Sequence, residues 1–78
     1  NTFKCAPNGD VFFSAGSNNE LVVQFDGETF EEKYVYEGSD YIDNFVFVGD
    51  SLITTSYDAI IEYDITNGKE KGNLKFNS

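Results

Sequence analysis

Short runs of β-branched and aromatic residues, separated by Gly, Asn and Asp, recur along the whole chain, and no stretch carries the i, i+3, i+4 spacing of an amphipathic helix. The pattern predicts an all-β chain with strands over Thr2–Ala6, Val11–Ala15, Glu20–Phe25, Lys33–Glu37, Ile42–Val48, Ser51–Thr55, Ala59–Tyr63 and Asn73–Phe76. Asn8-Gly9, Asp26-Gly27, Gly49-Asp50 and Asn67-Gly68 combine residues that tolerate positive φ with side chains that bond nearby backbone, so tight turns are expected there. Several strands do not alternate. Val11-Phe12-Phe13, Leu21-Val22-Val23, Phe45-Val46-Phe47-Val48 and Ile60-Ile61 place large apolar groups on both sides of the pleat. An antiparallel sheet usually keeps one face in water, so two apolar faces imply a sheet stacked between other sheets. Val23 and Ile61 are both expected in such a contact, where Asp would be an unpaired buried charge.

The halves repeat. Val22-Val23-Gln24-Phe25-Asp26 matches Ile60-Ile61-Glu62-Tyr63-Asp64 at a separation of 38 residues. Gly9-Asp10, an apolar pair and Ser14 match Gly49-Asp50, Leu52-Ile53 and Thr54 at 40, and Phe3 and Cys5 match Phe45 and Phe47 at 42. A period of about 40 residues suits a four-stranded module, and eight strands make two of them.

Over nearly its whole length the chain resembles two consecutive WD-type β-propeller repeats. The resemblance is carried by Cys5-Ala6-Pro7-Asn8-Gly9, Phe13-Ser14-Ala15-Gly16-Ser17 and Phe25-Asp26 in the first repeat. Leu52-Ile53-Thr54-Thr55-Ser56, Tyr63-Asp64 and Thr66-Asn67-Gly68-Lys69 carry it in the second. Phe25 and Tyr63 stand where the family has Trp, and Glu37-Gly38-Ser39 stands where it has a Gly-His pair. The resemblance implies antiparallel four-stranded meander blades, 1–37 and 38–78, together forming part of one larger propeller: an incomplete ring. Each outer face would expose about five large apolar side chains, worth about 1.5–3 kcal/mol apiece when buried, or ~10 kcal/mol per face. That sum rivals the stability of a whole domain. The expectation is therefore a longer chain, or other chains, supplying the remaining blades. The chain opens on Asn1-Thr2-Phe3 without an initiator Met or a signal-like segment, which points the same way.

Composition narrows the chemistry. Fourteen acidic residues against five lysines give a net charge of −9, unfavourable for a phosphate backbone, so no direct nucleic-acid partner is expected. There is no histidine, the usual general base near neutral pH and the commonest metal ligand. No apolar run approaches the ~20 residues of a membrane-spanning helix, and no membrane partner is expected. The single cysteine, Cys5, cannot form an internal disulfide, which favours an intracellular setting, cytoplasm or nucleus. Cys5 reads as packed core, since neither His nor Arg is present to activate its thiol.

Asp40, Asp43 and Asp50 lack the spacing of a calcium loop and read as solvated turns, so no metal or cofactor is expected. Asp26 and Asp64 close strands and read as acceptors for turn backbone. Tyr34, Tyr36 and Tyr63 read as packing, whereas Tyr41 and Tyr57 fall in or beside connections. In the propeller family the loops between second and third strands share one rim with the connections between blades. The resemblance thus implies that Asn18, Asn19, Glu20, Ser39, Asp40, Tyr41, Tyr57 and Asp58 meet on one acidic, tyrosine-bearing surface. Such a surface suits a basic peptide or loop. The function so implied is a non-catalytic protein–protein interaction scaffold. The alternatives are a fragment of an enzymatic or sugar-binding propeller whose active residues lie in other blades, and an extracellular eight-stranded β-sandwich.

Overall fold

A computed structural model describes residues 2–38 and 40–75. Among the described residues eight strands are present: β1 (Phe3–Cys5), β2 (Val11–Ala15), β3 (Leu21–Phe25), β4 (Glu32–Glu37), β5 (Ile42–Val48), β6 (Ser51–Ser56), β7 (Ala59–Asp64) and β8 (Lys69–Lys75). No helix occurs among the described residues. Strands β1 to β4 form an N-terminal sheet and β5 to β8 a C-terminal sheet, each antiparallel and in sequence order, with no crossover. The turns fall where residues able to hold positive φ occur, at Gly9, Gly16, Gly49 and Gly68. In the β3–β4 turn the left-handed residue is instead Phe30, at φ 60°.

Alternation along the strands divides each sheet into two unlike faces. In the N-terminal sheet Phe12, Val22, Gln24 and Tyr36 are buried, at 0–1% exposure, and they look towards the C-terminal sheet. Phe45, Leu52, Tyr63 and Ile65 answer from the other side in a single core, against which Tyr34, Phe47 and Ile61 are packed. The opposite faces are less covered, with Phe3, Val35, Val46, Val48, Ile60 and Leu74 exposed.

The strand registers repeat from sheet to sheet. Phe3 pairs with Phe13 as Phe45 pairs with Thr54, and Val11 pairs with Phe25 as Leu52 pairs with Tyr63. Equivalent residues are therefore 42 apart in β1 and β5, 41 apart in β2 and β6, and 38 apart in β3 and β7. The β2/β6 equivalence lies one residue beyond that suggested by the two Gly-Asp turns, so Asp10 corresponds to Ser51. Each sheet also carries a bulge between its last two strands, after Gln24 in one and after Glu62 in the other. The extra residue is Lys33 in β4 and Lys71 in β8, and a bulge re-aims the side chain it carries.

Three expectations are corrected. Strand β8 starts at Lys69 rather than Asn73, because pairing with β7 recruits the polar segment Lys69-Glu70-Lys71-Gly72, which has no apolar signal of its own; Phe76 lies outside the described residues. Cys5 is exposed rather than packed, since β1 turns it to the uncovered face of the N-terminal sheet. Val23 shares that face with Cys5, whereas Ile61 packs on the core between the sheets.

Leu52→Ala should lower stability by about 2–5 kcal/mol, the range for deleting a fully buried leucine side chain, as measured by urea unfolding. In the same assay Ile61→Asp should destabilise the chain far more than Val23→Asp; equal effects would contradict the assignment of faces.

Candidate functional site

The connections at one end of the two sheets are tied together by backbone. The Gly38 amide donates to the Glu20 carbonyl at 2.8 Å, and the Ile42 amide donates to the Asn19 carbonyl at 3.0 Å. Asn19 returns a bond from its side-chain amide to the Ile42 carbonyl at 3.2 Å, and Ile42 pairs with Ser56 at the head of the β6–β7 loop. The β2–β3 loop, the β4–β5 connection and the β6–β7 loop thus form one continuous margin. Within it Tyr41 and Tyr57 project most, at 51% and 67% exposure, beside the exposed Asn18 and Asp40.

The other residues of that margin are partly committed to the loops. Asn19 takes a left-handed conformation at φ 55°, which its short amide side chain tolerates. The Glu20 carboxylate accepts the Asn18 amide at 3.2 Å and lies over Gly16, where a Cβ would collide with it. Asp40 accepts the Tyr41 amide at 2.7 Å. Asp58 is half-buried, and its Oδ1 has no hydrogen-bond partner among the described residues; the same is true of Asn19 Oδ1. Ser39 lies outside the described residues. No hydrogen bond joins Tyr57 or Asp58 directly to Asn18, Asn19, Glu20, Asp40 or Tyr41 among the described residues.

The opposite end holds a polar cluster that the sequence reading missed. Asp10 is buried, and its Oδ2 accepts bonds from Gln24 Nε2 and Lys33 Nζ, each at 2.8 Å, while Oδ1 accepts the Gly27 amide at 3.1 Å. Gln24, also buried, donates to the Ile65 carbonyl at 3.2 Å and accepts the Tyr36 hydroxyl at 2.5 Å. The amide is thus fully engaged across both sheets. Burial pushes the Asp10 carboxyl up, but the bonds from Lys33, Gln24 and Gly27 outweigh it and hold the group below its ordinary value. Burial raises the Tyr36 phenol, which stays neutral and serves as a donor.

The C-terminal sheet repeats the cluster with its acid moved. Ser51 Oγ donates to Glu62 Oε2 at 2.6 Å, and Lys71 donates to Ser51 Oγ at 2.9 Å while standing 3.3 Å from Glu62. The signal that could have found both clusters is the pair Lys33 and Lys71, 38 residues apart like the strands that carry them. Asp26 and Asp64 cap their turns: Asp26 accepts the Glu28 and Thr29 amides at 2.8 and 3.0 Å, and Asp64 accepts the Thr66 amide at 2.9 Å. Among the described residues no group of three or more Cys, Asp or Glu is placed to hold a metal, and no helix is long and apolar enough to cross a membrane.

Comparison with known proteins adds no relative: no family model, no curated protein and no solved structure matches the chain.

The carboxylates of Asp10, Asp26, Glu62 and Asp64 all titrate below their ordinary values because each accepts hydrogen bonds in the fold. A depressed folded-state pKa adds stability above the unfolded-state value and loses it as pH falls through the folded value. Urea midpoints should therefore drop as pH is lowered through 3.8, the ordinary value for Asp10. Asp10→Asn should flatten part of that dependence. A midpoint independent of pH between 6 and roughly 3 would contradict the assignment.

Proposed function

We propose that the two sheets are consecutive blades, 1–37 and 38–78, of a WD-like β-propeller acting as a non-catalytic interaction scaffold. Sequential four-stranded meanders with a shared register and a shared bulge support the blade assignment. A Greek-key sandwich would instead carry at least one strand across to the other sheet. The observation that carries the function is the margin bearing Tyr41 and Tyr57. Two large rings stand half or more exposed beside Asp40 and Asp58, on a chain of net charge −9. Tyrosine offers rigid contact area with a hydrogen-bonding tip, and the surrounding carboxylates draw a cationic partner into encounter. The partner class that fits is a lysine- or arginine-rich peptide or loop, gripped by the rings and steered by charge. Enzymatic chemistry in companion blades has no observation in its favour here.

The test uses a panel of lysine- and arginine-rich peptides, with binding followed by fluorescence anisotropy at low and high salt. Binding should weaken with salt, and Tyr41→Ala with Tyr57→Ala should reduce affinity by about tenfold or more, as for aromatic anchors. The melting temperature should be unchanged, since both rings stand in solvent. Indifference of every basic peptide to the protein, or of binding to the paired substitution, would remove the margin as a docking surface.

A further inference from the structure

The outward face of each sheet repeats the register of the face that the other sheet turns inward. On the N-terminal sheet Phe3, Val11 and Phe25 hold the register positions of Phe45, Leu52 and Tyr63, which pack inward from the C-terminal sheet. On the C-terminal sheet the outward Ile53, Ile60 and Leu74 hold the positions of Phe12, Val22 and Tyr36. A surface of one kind and a surface of its mate are therefore both open on the same chain, the condition for head-to-tail association.

One detail makes the match specific. Inside the molecule Gly68, at φ +76°, lies on the ring of Tyr34 so closely that a Cβ would come within 2.5 Å of it. The Tyr34 hydroxyl donates to the Thr66 carbonyl of the same turn, at 3.3 Å. At the outward faces the roles are exchanged. Phe30 stands 38 residues before Gly68, also left-handed at φ 60°, and its ring is 67% exposed. Gly72 stands 38 residues after Tyr34, opposite Glu62 as Tyr34 is opposite Gln24. Among the described residues, and leaving aside its own chain neighbours, no atom lies within 4 Å of the place a Gly72 Cβ would occupy. A recess of about 240 Å³, walled by Ile53, Ile60 and Leu74, opens above it. Inside, a ring of the first sheet receives a glycine turn; outside, the second sheet offers a glycine at the position of that ring, and the first sheet offers a ring at the position of that turn glycine. A bulky residue rarely holds a left-handed backbone, and such positions persist where surrounding structure or function requires them.

We infer that a second copy of this chain docks head-to-tail on the C-terminal sheet, seating its Phe30 ring in the recess above Gly72. The contact continues the internal one in register and apolar character. Its polar part differs: Gln24 donates to the Ile65 carbonyl inside, and at the new contact the corresponding Gly27 carbonyl takes its bond from Lys71, since the Glu62 carboxylate has no proton to give. The inference rests on the repeated registers and not on the tyrosine-bearing margin, which lies at the ends of the strands.

Sedimentation of the chain across concentration should show reversible association. Phe30→Gly and Gly72→Tyr should each weaken it at least tenfold without lowering the melting temperature of the monomer. Gly72→Tyr places its side chain in open space, and Phe30→Gly relieves the left-handed residue. The double variant places glycine over tyrosine, as Gly68 lies over Tyr34, and should restore association, as should mixing the two singly substituted chains. A wild-type chain that stays monomeric at hundreds of micromolar overturns the proposal. So does association that neither substitution alters, or single losses that the double variant does not restore. Peptide capture by Tyr41 and Tyr57 is a separate readout, so either proposal can fail alone.

Discussion

Four aromatic rings bridge the two sheets. Phe12 meets Phe47 edge-on with ring centroids 4.7 Å apart, and Tyr36 meets Tyr63 at 4.9 Å. Each pair takes one ring from each sheet, so neither sheet can be removed without exposing the aromatic half of the other. A lone four-stranded meander cannot bury its own apolar face, which another element must cover. The contact between sheets therefore supports the order of both, and every loop position follows from it.

Burying Gln24 in that contact gives it direction. An apolar seam alone tolerates sliding, whereas an amide that must donate to both Asp10 and the Ile65 carbonyl fixes one sheet relative to the other. Lys4 adds a second tie, donating to the Phe45 carbonyl with its ammonium 5.1 Å from the centroid of the Phe45 ring. These polar links pass between the sheets alongside the packed rings.

Much of the strand pattern was legible because β-branched runs and turn residues are local signals. Seven strands lie within a residue or two of expectation, and Asp26 and Asp64 accept turn amides as their positions suggested. Strand β8 was legible only at its C-terminal end, since Lys69 to Gly72 become a strand through pairing with β7 and not through propensity. The bulges were invisible, because they are properties of two strands taken together. Cys5 and Val23 were misplaced for a related reason: the pattern showed that two faces were apolar but not which of them the single available neighbour covers. Of the candidate margin, the exposure of Tyr41 and Tyr57 was readable. The commitment of Asn19 and Glu20 to backbone partners some 20 residues away was not, as it depends on how the β4–β5 connection folds back.

The two bulge lysines show how two sheets of one register can differ in sequence and agree in charge. Lys33 finds its carboxylate at Asp10, just ahead of β2, whereas Lys71 finds its own on β7, the counterpart of β3, at Glu62, with Ser51 in the place of the aspartate. The anion sits one strand further along in the second sheet, while the cation keeps its position. Compared column by column, Asp against Ser and Gln against Glu read as two unrelated differences; taken jointly they conserve a neutral ion pair. Two sheets can thus differ residue by residue and still carry equivalent electrostatics, because the charge balance is set by the sum over neighbouring strands and not by the letter at either site.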